Sequence, residues 1–515
     1  MTPAPAAGSV SLRRSSKPRA KKPHRQAPTE APAGDRRLLR RPGPRGWAGR
    51  GGGAADLLQV PGPWRATTVQ VCGLYPFILG TGSPQIGVPL GAHLLTGESV
   101  CADPISWFTR AKLIANPSVF VLGKPGLGKS TTIRRMMLGL AAYGTIPLVL
   151  GDLKPDYVDL IEALDGQVIR LGRGVGALNV LDPGESAAVA ARLTGQFREQ
   201  VEADARARRL QLVRALIQIV RKARLGVEED NVLARAINMA VDRRGGAAPV
   251  LGDVLHLVHT GPDELREAAN DRGSEARYFD TVRLLEASLS ALTSPDGPVG
   301  DMFAKPTAVA MRRDRPVAFD VSAIADTDSD LQGAALLACW STGFGAVAGH
   351  HVLADAGLEP RRHYFVVMDE LWRALRSGPA MVDRIDALTR LNRTDGVGQA
   401  MCTHTMSDLM SLTSESERQK AAGFVERSGM VIVAGLPGKE LPLLAAAGVN
   451  LTGKEEALIT SWSAPSTFNV AGGSHSAPPG LGKILIKVGS RPGIPVQVRL
   501  VDAEISVHNT NKRWQ

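Results

Sequence analysis

Aromatic residues are scarce, at 4% of a 515-residue chain that is 44% hydrophobic overall. A core must therefore be built mainly from aliphatic side chains. Cysteine is scarcer still: Cys72, Cys101, Cys339 and Cys402 are scattered and form no Cys-x-x-Cys pair. That excludes a disulfide scaffold and a cysteine-held zinc site, and it points to a reducing compartment. Long apolar runs are missing too. The nearest is GAALLACWSTGFGAVAG, 333–349, Gly-rich and at the short limit of about 17 residues for a membrane span. It reads as a buried helix, so any membrane association would need a partner. No secretory signal is expected, because the basic start is not followed by an apolar stretch. Acids are nearly absent from the first fifty positions, where Glu30 and Asp35 face thirteen lysines and arginines. That excess of eleven equals the net charge of the whole chain, +11, and leaves 48 basic and 48 acidic residues in the rest. The basic character belongs to a tail and not to a folded surface.

What the chain does contain is a phosphate-binding loop in its proper setting. Gly123-Lys124-Pro125-Gly126-Leu127-Gly128-Lys129-Ser130-Thr131 follows the apolar run Val119–Leu122 and precedes a helical pattern over 131–142. Glycines let backbone N–H groups wrap phosphate oxygens, and the next helix turns its positive end to the same anion. In this reading Gly123 to Thr131 bind ATP, Lys129 reaches the β- and γ-phosphates, and the Ser130 hydroxyl sits on Mg²⁺. A second apolar run, Phe365–Met368, delivers Asp369 and Glu370 at its end. Asp369 is the expected holder of Mg²⁺, and Glu370 the group that orients or deprotonates the attacking water. His404 follows a third apolar run and is a candidate γ-phosphate sensor. Arg390 and Arg393, on or just after a helical pattern over 381–392, are candidates for arginine fingers reaching a neighbouring subunit. His350 and His351 have no matching partners and receive no ligand role.

Composition and periodicity divide the chain. Residues 1–55, rich in Pro, Gly, Arg and Lys, read as a disordered basic tail that could contact nucleic acid or anionic lipid. Residues 56–115 read as a small β-rich lead-in. Strand and helix patterns alternate over 116–185, the first part of a parallel α/β nucleotide fold. Residues 186–300 read as a helical insertion, with Leu210, Val213, Ile217 and Val220 forming one apolar stripe. The arginines around that stripe (Arg206, Arg208, Arg209, Arg214, Arg221, Arg224) and Lys222 read as a solvated face rather than a substrate-binding one. The α/β pattern resumes over 301–515 and ends in two strands expected to pair antiparallel at the sheet edge. Lys129 and Asp369 lie far apart in sequence, and the insertion accounts for the distance. The fold class expected is an α/β P-loop NTPase with an additional-strand, RecA-like parallel sheet.

Several segments together carry a resemblance. They are Gly87-Val88-Pro89-Leu90-Gly91 with Asp103-Pro104, Asp152-x-Lys154-x-x-Tyr157, Leu178–Pro183 (LNVLDP), Pro316–Ser322 (PVAFDVS), Met368-Asp369-Glu370-x-Trp372 and the tail from Gly482 to Leu500. Over residues 70–515 the chain resembles the HerA–FtsK superfamily of ring ATPases, and most closely the energising ATPases of conjugative transfer and type IV secretion in Gram-positive bacteria. The resemblance implies a homo-hexameric, Mg²⁺-dependent ATPase in the cytoplasm, peripheral at the inner face of the cell membrane, acting with the proteins of a transfer channel. Lys129, Ser130, Asp369 and Glu370 fall on the family's catalytic positions. Where many members carry Gln after the sensor Thr, this chain has His404. The alternatives it leaves are a coupling protein that grips DNA itself and a nucleotide-gated scaffold without turnover.

Overall fold

The computed structural model describes residues 84–507, apart from 377–380, 383–384, 387–395, 413, 467, 470–473 and 476. The basic tail, the first part of the lead-in and both candidate finger arginines, Arg390 and Arg393, lie outside the described residues.

Short apolar runs build the framework. They are β1 (Pro89–His93), β2 (Ser99–Cys101), β3 (Ser118–Leu122), β4 (Ile146–Asp152), β5 (Gln167–Arg170), β6 (Val317–Asp320), β7 (Tyr364–Met368), β8 (Val397–Thr403) and β9 (Met430–Val433). A two-residue ladder of β10 (Phe468–Asn469) and β11 (Ser474–His475) stands apart, and β12 (Lys483–Lys487) and β13 (Ile494–Val498) follow. Among the described residues, eleven strands form one sheet in the order β2-β1-β13-β12-β9-β3-β8-β7-β4-β6-β5. From β9 to β5 all neighbours are parallel. The strand β8 is inserted between β3, which carries the phosphate loop, and β7, which carries Asp369 and Glu370. This is the additional-strand arrangement.

The central strands β3, β4, β7 and β8 are buried at every position, as parallel strands covered on both faces must be. Their side chains still alternate between two cores. Phe120 and Leu122 join the core on one face, and Val119 and Val121 join that on the other. The helix α1 (Lys129–Ala142) covers the second face through Ile133, Met136, Met137 and Leu140. The few aromatics are used mainly inside: Trp107, Trp340, Tyr157, Tyr278 and Tyr364 are all fully buried.

Between β5 and β6 the chain leaves the sheet as helices α2 (Glu185–Ala191), α3 (Gly195–Arg221), α4 (Val227–Arg244), α5 (Leu251–Thr260), α6 (Asp263–Ala268) and α7 (Glu275–Thr293). The next helix, α8 (Ser329–Asp355), includes the weakly apolar run read as a buried helix. Among the described residues it alone is long and apolar enough to cross a membrane, and 78% of its most apolar window is buried inside the protein.

Three expectations need adjustment. The C-terminal strands do pair antiparallel, but they are not at the edge, because β1 and β2 extend the sheet beyond β13. Gly91 permits that approach, since a Cβ there would stand 2.0 Å from the Gln497 carbonyl oxygen. The described part of the lead-in is thus part of the main sheet. Finally, the basic residues of α3 are only partly solvated. Arg214 pairs with Asp230, Arg221 with Glu229 (3.0 Å) and Lys222 with Asp330, while Arg208 donates to Ser186 Oγ (2.9 Å).

Candidate active site

Because β3, β8, β7 and β4 run parallel, their C-terminal ends open on the same edge of the sheet, where ligands sit in open α/β folds. Four loops meet there. The loop after β3 is Gly123–Gly128. Gly126 (φ 78°) and Gly128 (φ 98°) take left-handed conformations that a side chain would strain. Leu127 is buried and anchors the loop, while Pro125 and Gly126 are exposed at its tip. The helix α1 starts at Lys129 with no side-chain cap on its first N–H groups. Those donors and the helix dipole make a ready cradle for phosphate.

Lys129 is buried and curls back onto its own loop, donating to Gly123 O (2.7 Å) and Lys124 O (3.3 Å). Its third contact is His404 Nδ1 at 3.1 Å. An ammonium only donates, so Nδ1 accepts and the ring proton sits on Nε2. That nitrogen faces Glu370 Oε2 at 3.2 Å. His404, one residue past β8, therefore bridges the phosphate-loop lysine and the acid pair.

Asp369 and Glu370 follow β7 directly. Ser130 Oγ donates to Asp369 Oδ2 (3.2 Å), and so does the Tyr157 hydroxyl (2.8 Å). Burial, with Asp369 beside it, pushes the Tyr157 hydroxyl well above its usual range and keeps it a donor. Ser130 and Asp369 present the hard oxygen donors that suit Mg²⁺, and they are already side by side, so the residues fit the ion. Glu370 is buried and has a φ of 52°, a left-handed backbone that costs about 1–2 kcal/mol in a residue with a Cβ. Its carboxylate accepts from Lys154 Nζ (2.6 Å) and Trp372 Nε1 (2.6 Å) besides His404. Burial would raise its pKa, but the hydrogen bonds from His404 and Lys154 outweigh it and hold the group well below the usual carboxylate range.

The fourth loop, Asp152–Tyr157 after β4, is organised by a buried carboxylate. Asp152 accepts from the N–H groups of Asp156 (3.0 Å) and Tyr157 (2.7 Å). Burial pushes Asp152 up to about 7 despite those bonds. Asp156 is raised to about 6 by burial and by the charge of Asp369. Of the carboxyl groups on these loops, Asp369 is the one in contact with Ser130, and that pair is where a divalent cation would be held. Lys154, Tyr157 and Trp372 were visible in sequence only as parts of motifs. The available clue was that Asp-x-Lys-x-x-Tyr, too, follows a strand of the parallel set.

The phosphate loop is also braced from behind. Lys124 N donates to Gly435 O (3.0 Å) and Lys124 Nζ to Ser463 O (3.0 Å). Gly435 lies so close to the helix Gly453–Trp462 that a Cβ there would stand 2.6 Å from the Trp462 backbone.

No family model matches the chain, and no curated protein matches it. Solved structures do. VirB4 of Thermoanaerobacter pseudethanolicus superposes with a TM-score of 0.60 at 17% identity, covering 82% of this chain and 100% of that one. The fold is that of VirB4. It agrees with the α/β P-loop NTPase fold expected from the resemblance to the HerA–FtsK ATPases. The plasmid coupling protein TrwB in complex with ADP and Mg²⁺ is more distant, with a TM-score of 0.46 at 14% identity over 82% of this chain and 96% of that one. Of these two, the VirB4 likeness is the one that defines the fold.

Proposed function

We propose that this protein is an Mg²⁺-dependent ATPase that works as a homo-hexameric ring and energises conjugative DNA transfer or type IV secretion. The carrying observation is the convergence of Lys129, Ser130, Asp369, Glu370 and His404 on one sheet edge. In this reading the phosphate loop from Gly123 to Thr131 holds the nucleotide. Ser130 and Asp369 hold Mg²⁺, which shields phosphate charge when bound. Lys129 exchanges its loop carbonyls for β- and γ-phosphate oxygens. Glu370 orients a water for in-line attack, and His404 reports phosphate occupancy from Lys129 to Glu370. Arg390 and Arg393 are assigned to the neighbouring subunit's γ-phosphate. The VirB4 fold supports placing the ring at the cytoplasmic face of a membrane channel. The basic tail supplies attraction to DNA or anionic lipid.

The test is ATP turnover by the purified protein with and without Mg²⁺. Lys129→Ala and Glu370→Gln are each expected to lower kcat by about 100-fold or more. Turnover that is absent in every oligomeric state, or indifferent to both substitutions, overturns the proposal.

A further inference from the structure

Lined by none of the active-site residues, a cavity of about 70 Å³ lies where α3 of the helical insertion meets α8 and the segments 178–186 and 307–311. At about 10–15 Å³ per water-sized probe, that is room for a group the size of phosphate or a small carboxylate. Its wall is mixed. Leu212, Met311 and Phe319 are apolar, while Thr307, Ser341 and Thr342 carry hydroxyls.

Two arginines line it. Arg209 is 8% exposed, its Nε has no hydrogen-bond partner, and it forms no ion pair among the described residues. Asp182 lines the same cavity but acts on Arg209 only through space, and its carboxylate takes the Gly184 N–H (2.8 Å). Glu185, the other acid on the wall, is paired with Arg313. Arg208 reaches the cavity beside Ser186 Oγ (2.9 Å). Gly345 on α8 makes the room, since a Cβ there would stand 3.3 Å from the Arg208 guanidinium.

A largely buried cation whose Nε is unpaired and whose nearest acid acts only through space is unfavourable. A lysine could relieve that cost by losing its proton, but arginine does not deprotonate in proteins. An anion in the cavity would repay the cost directly.

We infer that this cavity is a second ligand site, separate from the phosphate loop, and that it takes a small oxyanion between Arg209 and Arg208. The shared chemistry is a compact, singly or doubly charged oxygen face. Inorganic phosphate and the carboxylate of a small metabolite both offer it. Because α3 and α8 both line the cavity, an occupant would fasten the insertion to the motor.

The experiment titrates the full-length protein with inorganic phosphate and, separately, with acetate, by calorimetry and by thermal unfolding. The same titrations are run on Lys129→Ala, Arg209→Gln and Ser341→Leu, the last filling the cavity without altering charge. The expected result is saturable binding that raises the unfolding midpoint, persists in Lys129→Ala and weakens at least about tenfold in Arg209→Gln and Ser341→Leu. Tighter phosphate than acetate binding would assign the site to phosphate, and the reverse to carboxylates. If one cavity variant fails to fold, the other decides. Binding of neither anion, or binding that is lost in Lys129→Ala and kept in the cavity variants, overturns the inference.

Discussion

Glu370 is held in a conformation that its own backbone resists. Its φ of 52° is left-handed, and its carboxylate is fixed by Lys154, Trp372 and His404. Strain of this kind persists only where the surroundings over-determine it, and it gathers at sites that work. Lys154 is then a positioning residue. Lys154→Met is expected to lower kcat for ATP by about 10- to 100-fold while leaving KM nearly unchanged, as steady-state kinetics would show. An equal rise in KM would mean that Lys154 binds nucleotide instead. The identities of the phosphate loop and the acid pair were legible in the sequence, because each follows a buried apolar run. The holders of Glu370 were not. Lys154 lies 216 positions from it, and only the parallel alignment of β4 with β7 brings the two loops together.

Elements, not single residues, keep the phosphate loop in shape. The loop after β9 and the end of the helix Gly453–Trp462 receive both donors of Lys124. Gly435→Ala would push these two elements apart against backbone atoms. It is expected to destabilise the fold by about 1–3 kcal/mol and to weaken nucleotide binding, read by denaturant unfolding and nucleotide titration. A second junction is ionic. Glu359 receives Arg313 (2.8 Å), Arg362 (3.1 Å) and Arg192, and so ties the start of the insertion to the stretch before β7. Hydrogen bonds from Arg313 and then Arg192, with their charges, lower Glu359 to about 2 from an ordinary 4.5. The folded state therefore binds fewer protons than the unfolded one in that window. Its contribution is complete above about 4.5 and is lost as pH falls toward 2. The thermal midpoint should drop over that range, and Glu359→Gln should flatten the drop. Strand positions were legible from apolar runs, but the final place of β12 and β13 was not. Their order in the sheet depends on β1, whose five residues give no hint of the partner they choose.

At the scale of the molecule, charge and catalysis are separated along the chain. The first fifty residues hold the whole net charge of +11. Removing residues 1–55 is expected to abolish most salt-sensitive DNA or vesicle binding while leaving ATP turnover within about twofold. Binding titrations at several salt concentrations would measure the slope. Retained binding would locate the grip in the motor. The additional-strand class and the insertion were legible because hydrophobic period and helix pattern change along the chain. The cavity between α3 and α8 was not, since the arginines of α3 read as a solvated face until packing turned Arg209 inward. One feature of the sheet bears on how the protein is made. The strand β3 pairs Ser118 with Gln399 of β8 and Val119 with Met430 of β9. Both edges of the phosphate-loop strand therefore stay open until about 280 to 310 further residues have emerged. At ribosomal speeds of about 5–20 residues per second that wait is on the order of 15–60 s. The nascent chain spends it with an apolar, unpaired strand at its centre. The segment that reads most plainly in the sequence is thus among the last to find its sheet partners.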